Sequence, residues 1–187
     1  MFFAKRQTCL RFRLRSLFAL LTAAAILFAY LGPRIRQSQL EKPVVDWIVK
    51  RGGSVRSKGR GLDRYFGERV IKVYLNSADV TDISKLASLR HLVYVDLDNT
   101  MVTDLRPLAH LPSLKSVNLN GTRVSDLTPL ATVSTLEKLY LLRTPVSDLS
   151  PLAELRNLRF LQVSQTCASV QEVEALQRAL PQCEIQH

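Results

Sequence analysis

The sequence contains few of the residues that carry metal, redox or phosphate chemistry. Among 187 residues there are only three cysteines and three histidines. They are scattered, without a CxxC pair or metal-ligand spacing: Cys9, Cys167, Cys183, His91, His110 and His187. The run Ser57-Lys58-Gly59-Arg60-Gly61 lacks the GxxxxGK spacing of a phosphate-binding loop, so a solvated basic loop is expected between Ser54 and Gly67. We therefore expect no metal, no cofactor and no small-molecule substrate.

Acidic residues are scarce in the first third of the chain. Residues 1–69 hold 15 Lys/Arg and 4 Asp/Glu, whereas residues 70–187 hold 11 and 12. A nucleic-acid-binding domain would carry its positive charge on the folded surface that meets the phosphates. Here the excess flanks an apolar stretch, so membrane flanking explains it better and no nucleic-acid partner is expected.

Residues 16–33 contain no charged side chain and predict a membrane-spanning helix. As a helix they would extend about 27 Å, slightly less than the hydrocarbon core of a bilayer. The basic side chains are more numerous before this segment than after it: Lys5, Arg6, Arg11, Arg13 and Arg15 precede it, and Arg34 and Arg36 follow. Residues 1–15 should therefore be cytoplasmic, with the rest of a single-pass protein outside the inner (cytoplasmic) membrane.

A cleaved signal peptide is the alternative interpretation of this segment, and it would lead to secretion. Signal peptides usually have a shorter apolar region that ends in small residues of the A-x-A kind. The apolar region here ends in Phe28-Ala29-Tyr30-Leu31-Gly32-Pro33, which is a poor cleavage site. An uncleaved signal anchor is therefore favoured.

A strict 22-residue period governs the chain from about Val70. Seven columns of residues recur at that spacing without an insertion. Three of them are Val73, Val95, Val117, Leu139, Leu161; then Thr100, Thr122, Thr144, Thr166; then Asp82, Asp104, Asp126, Asp148. Residues 70–168 are thus predicted to form about five repeated units.

Each unit should consist of a strand and a short helical return. The LxxLxL portion alternates as a strand does, and the Thr/Ser-Asp pair can cap a 3₁₀ turn through its carboxylate. Pro107, Pro129 and Pro151 fall in the first turn of that return, where a missing N–H costs little. The aliphatic residues of one unit cannot offset the entropy of ordering it, so the units must stack.

Both ends of such a stack need covers. Gln37 to Arg51 is amphipathic and is followed by Gly52-Gly53, so residues 34–69 are predicted to form a juxtamembrane helix and N-terminal cap. Ser169-Val170-Gln171-Glu172 has the pattern of a capping box, so residues 169–187 are predicted to form a C-terminal cap with a helix to about Leu180 and a final edge strand. Cys167 and Cys183 flank that helix; two free thiols are favoured over a disulfide.

The repeat resembles the 22-residue leucine-rich repeats of the internalin type, with LxxLxLxxT in the strand part and V-[ST]-D-L-x-P-L in the return. The chain also resembles small membrane-anchored repeat proteins abundant in planctomycete bacteria, through Arg11-Phe12-Arg13-Leu14-Arg15 before the anchor and Ala179 to Ile185 at the end. This resemblance implies an α/β leucine-rich-repeat solenoid that presents its strand face to partners. It implies no enzymatic activity.

Strand residues between the inward leucines should line the concave side of such a solenoid. Aromatic and polar side chains among them resemble the composition of recognition surfaces. The predicted partner-binding residues are Lys72, Tyr74, Tyr94, Asp96, Asp98, Asn118, Lys138, Tyr140, Phe160 and Gln162. We therefore expect a membrane-anchored module that binds or scaffolds an unidentified protein, or alternatively a structural envelope component that associates with itself.

A second motif overlaps the repeat. Val93 to Thr100 matches hhhDxDxT, the nucleophile motif of haloacid-dehalogenase-like phosphatases, in which Asp96 would attack phosphorus and Asp98 would act as acid and base. The same positions read Asn118-Leu119-Asn120-Gly121-Thr122 in the next unit, so the repeat accounts for the match. A non-enzymatic function is expected.

Overall fold

The computed structural model describes residues 3–58, 69–76 and 79–187. Helix α1 (Phe3–Lys50) precedes strands β1 (Ser54–Lys58) and β2 (Arg69–Tyr74). Four short strands follow: β3 (Tyr94–Asp96), β4 (Ser116–Asn118), β5 (Lys138–Tyr140) and β6 (Phe160–Gln162). Helix α2 (Val170–Ala179) and strand β7 (Glu184–Gln186) come last. The strands form one seven-stranded sheet in sequence order.

The parallel strands pair in register with the repeat. Val73 lies beside Val95, Val95 beside Val117, and so on through Leu139 and Leu161, each step being 22 residues. The last pair, Leu161 and Ile185, is 24 residues apart, because α2 replaces the short return there. Equal spacing makes each coil superimpose on the one before it, and the predicted α/β solenoid is confirmed.

The returns are 3₁₀ turns capped by the aspartate column. They span Ser84–Ser88, Arg106–Leu108, Thr128–Thr132 and Ser150–Leu152. The backbone N–H of Arg106 donates to Oδ1 of Asp104 at 2.9 Å, and Asp82, Asp126 and Asp148 accept equivalent bonds. Side-chain hydrogen bonds from Arg106, Thr128 and Ser150, followed by these backbone bonds, hold the pKa of Asp104, Asp126 and Asp148 below its usual value. For Asp82 the backbone bond from Ser84 is the largest cause of the lowered pKa. The prolines lie inside the turns, as the sequence predicts.

The threonine column satisfies its hydroxyls within its own unit. Oγ1 of Thr100 donates to the carbonyl oxygen of Leu97 at 2.8 Å, and Thr122 and Thr144 do the same with Leu119 and Leu141. All three threonines are buried among the leucines and valines of the core. A buried hydroxyl without a partner would be costly, so this bond lets a polar residue stand beside the aliphatic interior.

The N-terminal end is closed differently from the sequence expectation. Ser54–Lys58, expected as part of a loop, form β1 antiparallel to β2, so that part of the prediction is wrong. The physical reason is that the first strand of the stack offers an edge of free backbone groups, which a polar segment can pair with. Residues 59–61 of the expected basic loop lie outside the described residues.

The C-terminal part of α1 packs onto this end of the core. Val44 and Ile48 are 5% and 0% exposed. Glu41, only 3% exposed, accepts hydrogen bonds from the backbone N–H of Val70 at 3.0 Å and from Nε2 of Gln37 at 2.9 Å. Gln37 also donates to the carbonyl of Ser88. The buried carboxylate of Glu41 thereby joins α1 to β2, and the Gln37 amide that it accepts from joins α1 to the first return turn.

Two glycines end α1. Gly52 has φ of +73°, and its N–H donates to the carbonyl of Val49, while the N–H of Gly53 donates to that of Ile48. This is the Schellman arrangement, which favours glycine at the left-handed position. A Cβ on Gly53 would lie 2.6 Å from the carbonyl oxygen of Tyr74, so glycine also permits the close approach of α1 to β2.

Helix α1 is continuous through Pro33 and Pro43, although the sequence suggested a helix that stops near Pro33 and a second one from Gln37. Each proline removes one backbone donor and the bonds on either side continue the helix. Among the described residues, the Ala19–Lys50 part is long and apolar enough to cross a membrane, and none of its apolar window is buried. A signal sequence has the same properties.

Helix α2 covers the other end of the core. Oγ of Ser169 accepts from the backbone N–H of Glu172 at 3.2 Å, as half of the predicted capping box. The Glu172 carboxylate accepts instead from the backbone N–H of Leu149, 3.3 Å away in the preceding unit. Val173 and Leu176 are buried. The cap is thus fastened by its side chains to the last return turn.

Gly121 occupies a left-handed position at which the other units have larger residues. Its φ is +64°, and the matching residues Asn99, Arg143 and Gln165 have φ of 55°, 56° and 56°. A Cβ on Gly121 would lie 2.5 Å from Oδ1 of Asn99, the neighbour in the preceding unit. The left-handed conformation favours glycine without requiring it, since three other units hold larger residues there, and a Cβ on Gly121 would also have to displace the side chain of Asn99.

We expect Gly121→Ala to lower the free energy of unfolding by about 1–2 kcal/mol for the backbone alone, and further through the contact with Asn99. Chemical denaturation followed by circular dichroism measures the change. In the double variant Asn99→Gly/Gly121→Ala, the steric part should be relieved and part of the stability recovered, because glycine tolerates the left-handed conformation of position 99. Wild-type stability of Gly121→Ala would contradict this account.

Candidate functional site

The side chains that alternate with the core residues form one face of the sheet, which we call the concave face. In the first column, Lys72 lies beside Tyr94, followed by Ser116, Lys138 and Phe160. In the second, Tyr74 lies beside Asp96, followed by Asn118, Tyr140 and Gln162. Asp98 follows the end of β3. The ten predicted site residues therefore share one surface, while their role in binding stays a prediction.

Four aromatic residues on this face form two pairs. The ring centroids of Tyr74 and Tyr94 are 5.4 Å apart, and those of Tyr140 and Phe160 are 5.2 Å apart, both with tilted rings. Nζ of Lys72 lies 5.6 Å from the centroid of the Tyr94 ring. Such contacts hold the rings in place before any partner binds, so binding would cost these side chains little further conformational entropy. Rings held in this way are suited to be anchors of an interface.

Polar side chains bonded to one another lie between the two aromatic pairs. Oδ1 of Asp96 accepts from Nδ2 of Asn118 at 3.0 Å and from the backbone N–H of Asp98 at 3.2 Å. Oδ2 of Asp96 accepts from the hydroxyl of Tyr94 at 3.2 Å. The sequence prediction omitted Asn120, whose Oδ1 accepts from the backbone N–H of Leu142 at 2.8 Å. Its place two residues after the end of β4, which matches the place of Asp98 after β3, was the signal for including it.

The environment of Tyr94 keeps its hydroxyl protonated. Partial burial raises the pKa of Tyr94 most, and the negative charge of Asp96 and its hydrogen bond raise it further. Tyr74 and Tyr140 also contribute to this raised pKa. The hydroxyl is therefore a stable hydrogen-bond donor to Asp96 at physiological pH.

The positions of the phosphatase motif have a structural role here. Asp96 and Asp98 flank Leu97, which is buried in the core, and the sheet is a solenoid sheet rather than a doubly wound one. Both oxygens of Asp96 accept hydrogen bonds from the protein. Within the described ranges there is no group of three or more His, Cys, Asp or Glu side chains that could hold a metal ion.

A cavity of about 460 Å³ lies away from the concave face, between the last return and the C-terminal cap. Its lining includes Leu158, Leu180, Pro181 and Cys183. Burial, with the charge of Glu184, raises the pKa of the Cys183 thiol to about 11, so it is protonated and a poor nucleophile at neutral pH. Cys167 and Cys183 are both free, and Cys167 is exposed.

Comparison with solved structures finds the same fold. Internalin C2 of Listeria monocytogenes is 23% identical with a TM-score of 0.58, over 63% of this chain and 50% of that one. Internalin F of the same organism is 28% identical with a TM-score of 0.54, over 60% and 33%. A leucine-rich-repeat protein of Leptospira interrogans is 20% identical with a TM-score of 0.51, over 63% and 37%.

Comparisons with protein-family models and with curated proteins find no match. The matched region spans a third to a half of the length of the three structural neighbours. These neighbours are internalins or leucine-rich-repeat proteins, and the chain has the internalin-like leucine-rich-repeat fold.

We expect Tyr94 to be among the last of the five tyrosines to ionise when the folded protein is titrated with alkali. Unfolded Tyr94 would lose its proton near the usual pKa of about 10. Because the pKa of Tyr94 is higher in the folded protein than in the unfolded one, the stability that this hydroxyl contributes is complete below about pH 10. That stability is lost as the pH rises from there through the folded pKa. Tyr94→Phe should remove the late part of the tyrosinate absorbance titration and make unfolding less sensitive to alkali. Loss of absorbance at about pH 10 in this variant, rather than in the late part of the curve, would show that Asp96 and burial do not act on this hydroxyl.

Proposed function

We propose that this internalin-like leucine-rich-repeat protein binds another protein through its concave face, and that its apolar N-terminal segment holds it at a membrane. The observation that carries the proposal is the concave face itself, with two aromatic pairs on either side of bonded polar side chains. The three structural neighbours, all leucine-rich-repeat proteins, support a binding rather than an enzymatic function.

The caps of the solenoid leave this face available. Helix α1 contacts β1, β2 and the first return, and α2 packs against the last return. Tyr74, Tyr94, Tyr140 and Phe160 are all partly exposed, although neighbouring rings cover part of each. Partly exposed aromatic residues held in position, next to polar groups, favour a protein partner over a small molecule.

The membrane part of the proposal rests on residues 16–33 and their flanks. We propose that residues 1–15 are cytoplasmic, that residues 16–33 form the anchor, and that the repeat domain lies outside the inner membrane. The uncharged segment and the stronger basic flank before it support this orientation. Residues 34–69 and 169–187 serve as the caps of repeats 70–168.

Tyr94→Ala/Tyr140→Ala should abolish most of the crosslinking to a partner in native membranes, because truncation removes one anchor from each aromatic pair. The measurement is photo-crosslinking from a probe placed at Gln162, followed by mass spectrometry of the products. The control Met101→Ala/Val170→Ala removes two exposed apolar side chains elsewhere, 42% and 61% exposed, and should leave crosslinking unchanged.

Two outcomes would contradict the proposed binding face. If the Tyr94→Ala/Tyr140→Ala variant gives the same crosslinked products as the wild type, the concave face does not take part in the interaction. Products containing only a second copy of this chain would favour the self-associating envelope component, for which the sheet offers its two terminal strands, β1 and β7.

We expect the full-length 21.1 kDa chain to remain in the membrane pellet after alkaline carbonate extraction. External protease should digest its repeat domain in spheroplasts but not in intact cells. As a control, Leu20→Arg/Leu27→Arg places charges in the apolar segment and should release the chain from the pellet. A shortened, soluble product from the unmodified chain would show that the segment is a cleaved signal peptide.

A further inference from the structure

In the middle of the concave face, the short side chains of Ser116 and Asn118 on β4 lie between two strands that each carry a tyrosine, and we call this place the central notch. Ser116 lies between Tyr94 and Lys138, and Asn118 lies between Asp96 and Tyr140, so the two tyrosines are placed diagonally across β4.

The notch is about as wide as the distance from β3 to β5, which is two strand spacings, roughly 9–10 Å. Tyr74 and Phe160 back the two tyrosine rings on their far sides. The short side chains of β4 thus leave room on the diagonal between the two tyrosines for one flat or slender group.

A carboxylate without a cationic partner lies at the edge of the notch. Asp96 receives its hydrogen bonds from a phenol, an amide and a backbone N–H, all of them neutral. The carboxylate of Asp98 also accepts from an amide, Nδ2 of Asn99, at 2.8 Å. Neither aspartate forms a salt bridge within the described chain, whereas Asp104, Glu137 and Glu154 do.

We propose that the central notch receives the side chain of a lysine or arginine from the bound protein. The cation would lie between Tyr94 and Tyr140 and pair with Asp96, with Asp98 adding to the negative field. Aromatic faces and a carboxylate together attract such a group, and the planar guanidinium of arginine also stacks on rings. This inference rests on the proposed function, since it names the chemistry of the partner at that same face.

The surroundings of the notch restrict the partner further. Lys72 and Lys138 lie in the first column, on β2 and β5. Lys138 borders the notch beside Ser116, so it would direct the inserted cation towards Asp96, and together with Lys72 it would repel additional cations. The aromatic pairs favour apolar neighbours instead. The expected partner segment therefore carries one basic residue between apolar or acidic residues, and a polybasic segment is disfavoured.

Selection from a displayed library of random decapeptides tests this directly. The target is the full chain in nanodiscs of neutral phospholipid, so that basic peptides gain nothing from the lipid. Asp96→Asn/Asp98→Asn removes both charges while keeping side chains of the same size. Glu154→Gln is the matched control, because it neutralises an exposed carboxylate elsewhere. Circular dichroism and denaturation check that each variant is folded.

We expect peptides selected on the wild type to share one Lys or Arg at a fixed position. Replacing that residue by uncharged citrulline or norleucine should weaken binding about tenfold. The same replacement should have little effect on the Asp96→Asn/Asp98→Asn variant and its full effect on Glu154→Gln. Binding that depends on Tyr94 and Tyr140 but shows no preference for a cation would overturn this inference and leave the proposed function standing. If substitution of both tyrosines and of both aspartates leaves the binding of the selected peptides unchanged, this inference and the proposed function are both overturned.

Discussion

The structure depends on one constraint, which is that successive coils of 22 residues bury their aliphatic side chains in a shared interior. Leu97, Leu119 and Leu141 are completely buried in consecutive units, each packed in the same continuous core. Because a single unit cannot offset the entropy of ordering its backbone, each coil is stable only with neighbours. The need to close the ends follows directly, and α1 and α2 meet it by different means.

The same constraint fixes the concave face. In-register pairing places every second strand residue on the concave face, so the positions of Tyr94 and Tyr140 follow from the period. The core holds the backbone beneath them, and contacts between neighbouring side chains orient the rings. A surface built in this way changes shape little on binding, so less of the interaction energy is lost to ordering it.

The sequence predicted what is encoded locally and repeatedly. The strands, the 3₁₀ returns, the capping aspartates and the columns of the face all follow from residue types that recur at one spacing. β1 was missed because Ser54–Lys58 contains a single apolar residue, Val55, and forms a strand only because β2 offers an edge. The continuity of α1 was missed because a proline such as Pro33 predicts the end of a helix. The bond from Leu149 to Glu172 was missed because it depends on tertiary geometry. The central notch depends on which aromatic rings contact one another, and the aligned repeat sequences do not show those contacts.

The threonine hydroxyls have a consequence for how such a chain changes in evolution. Each donates to a carbonyl three residues earlier in the same coil, so the bond requires nothing from the coil above or below. A duplicated or deleted coil therefore brings or takes away its own polar pairing and leaves no unmatched group in the interior. Lengthening or shortening the chain by whole units therefore costs little stability, and the length of the concave face can change without a redesign of the core.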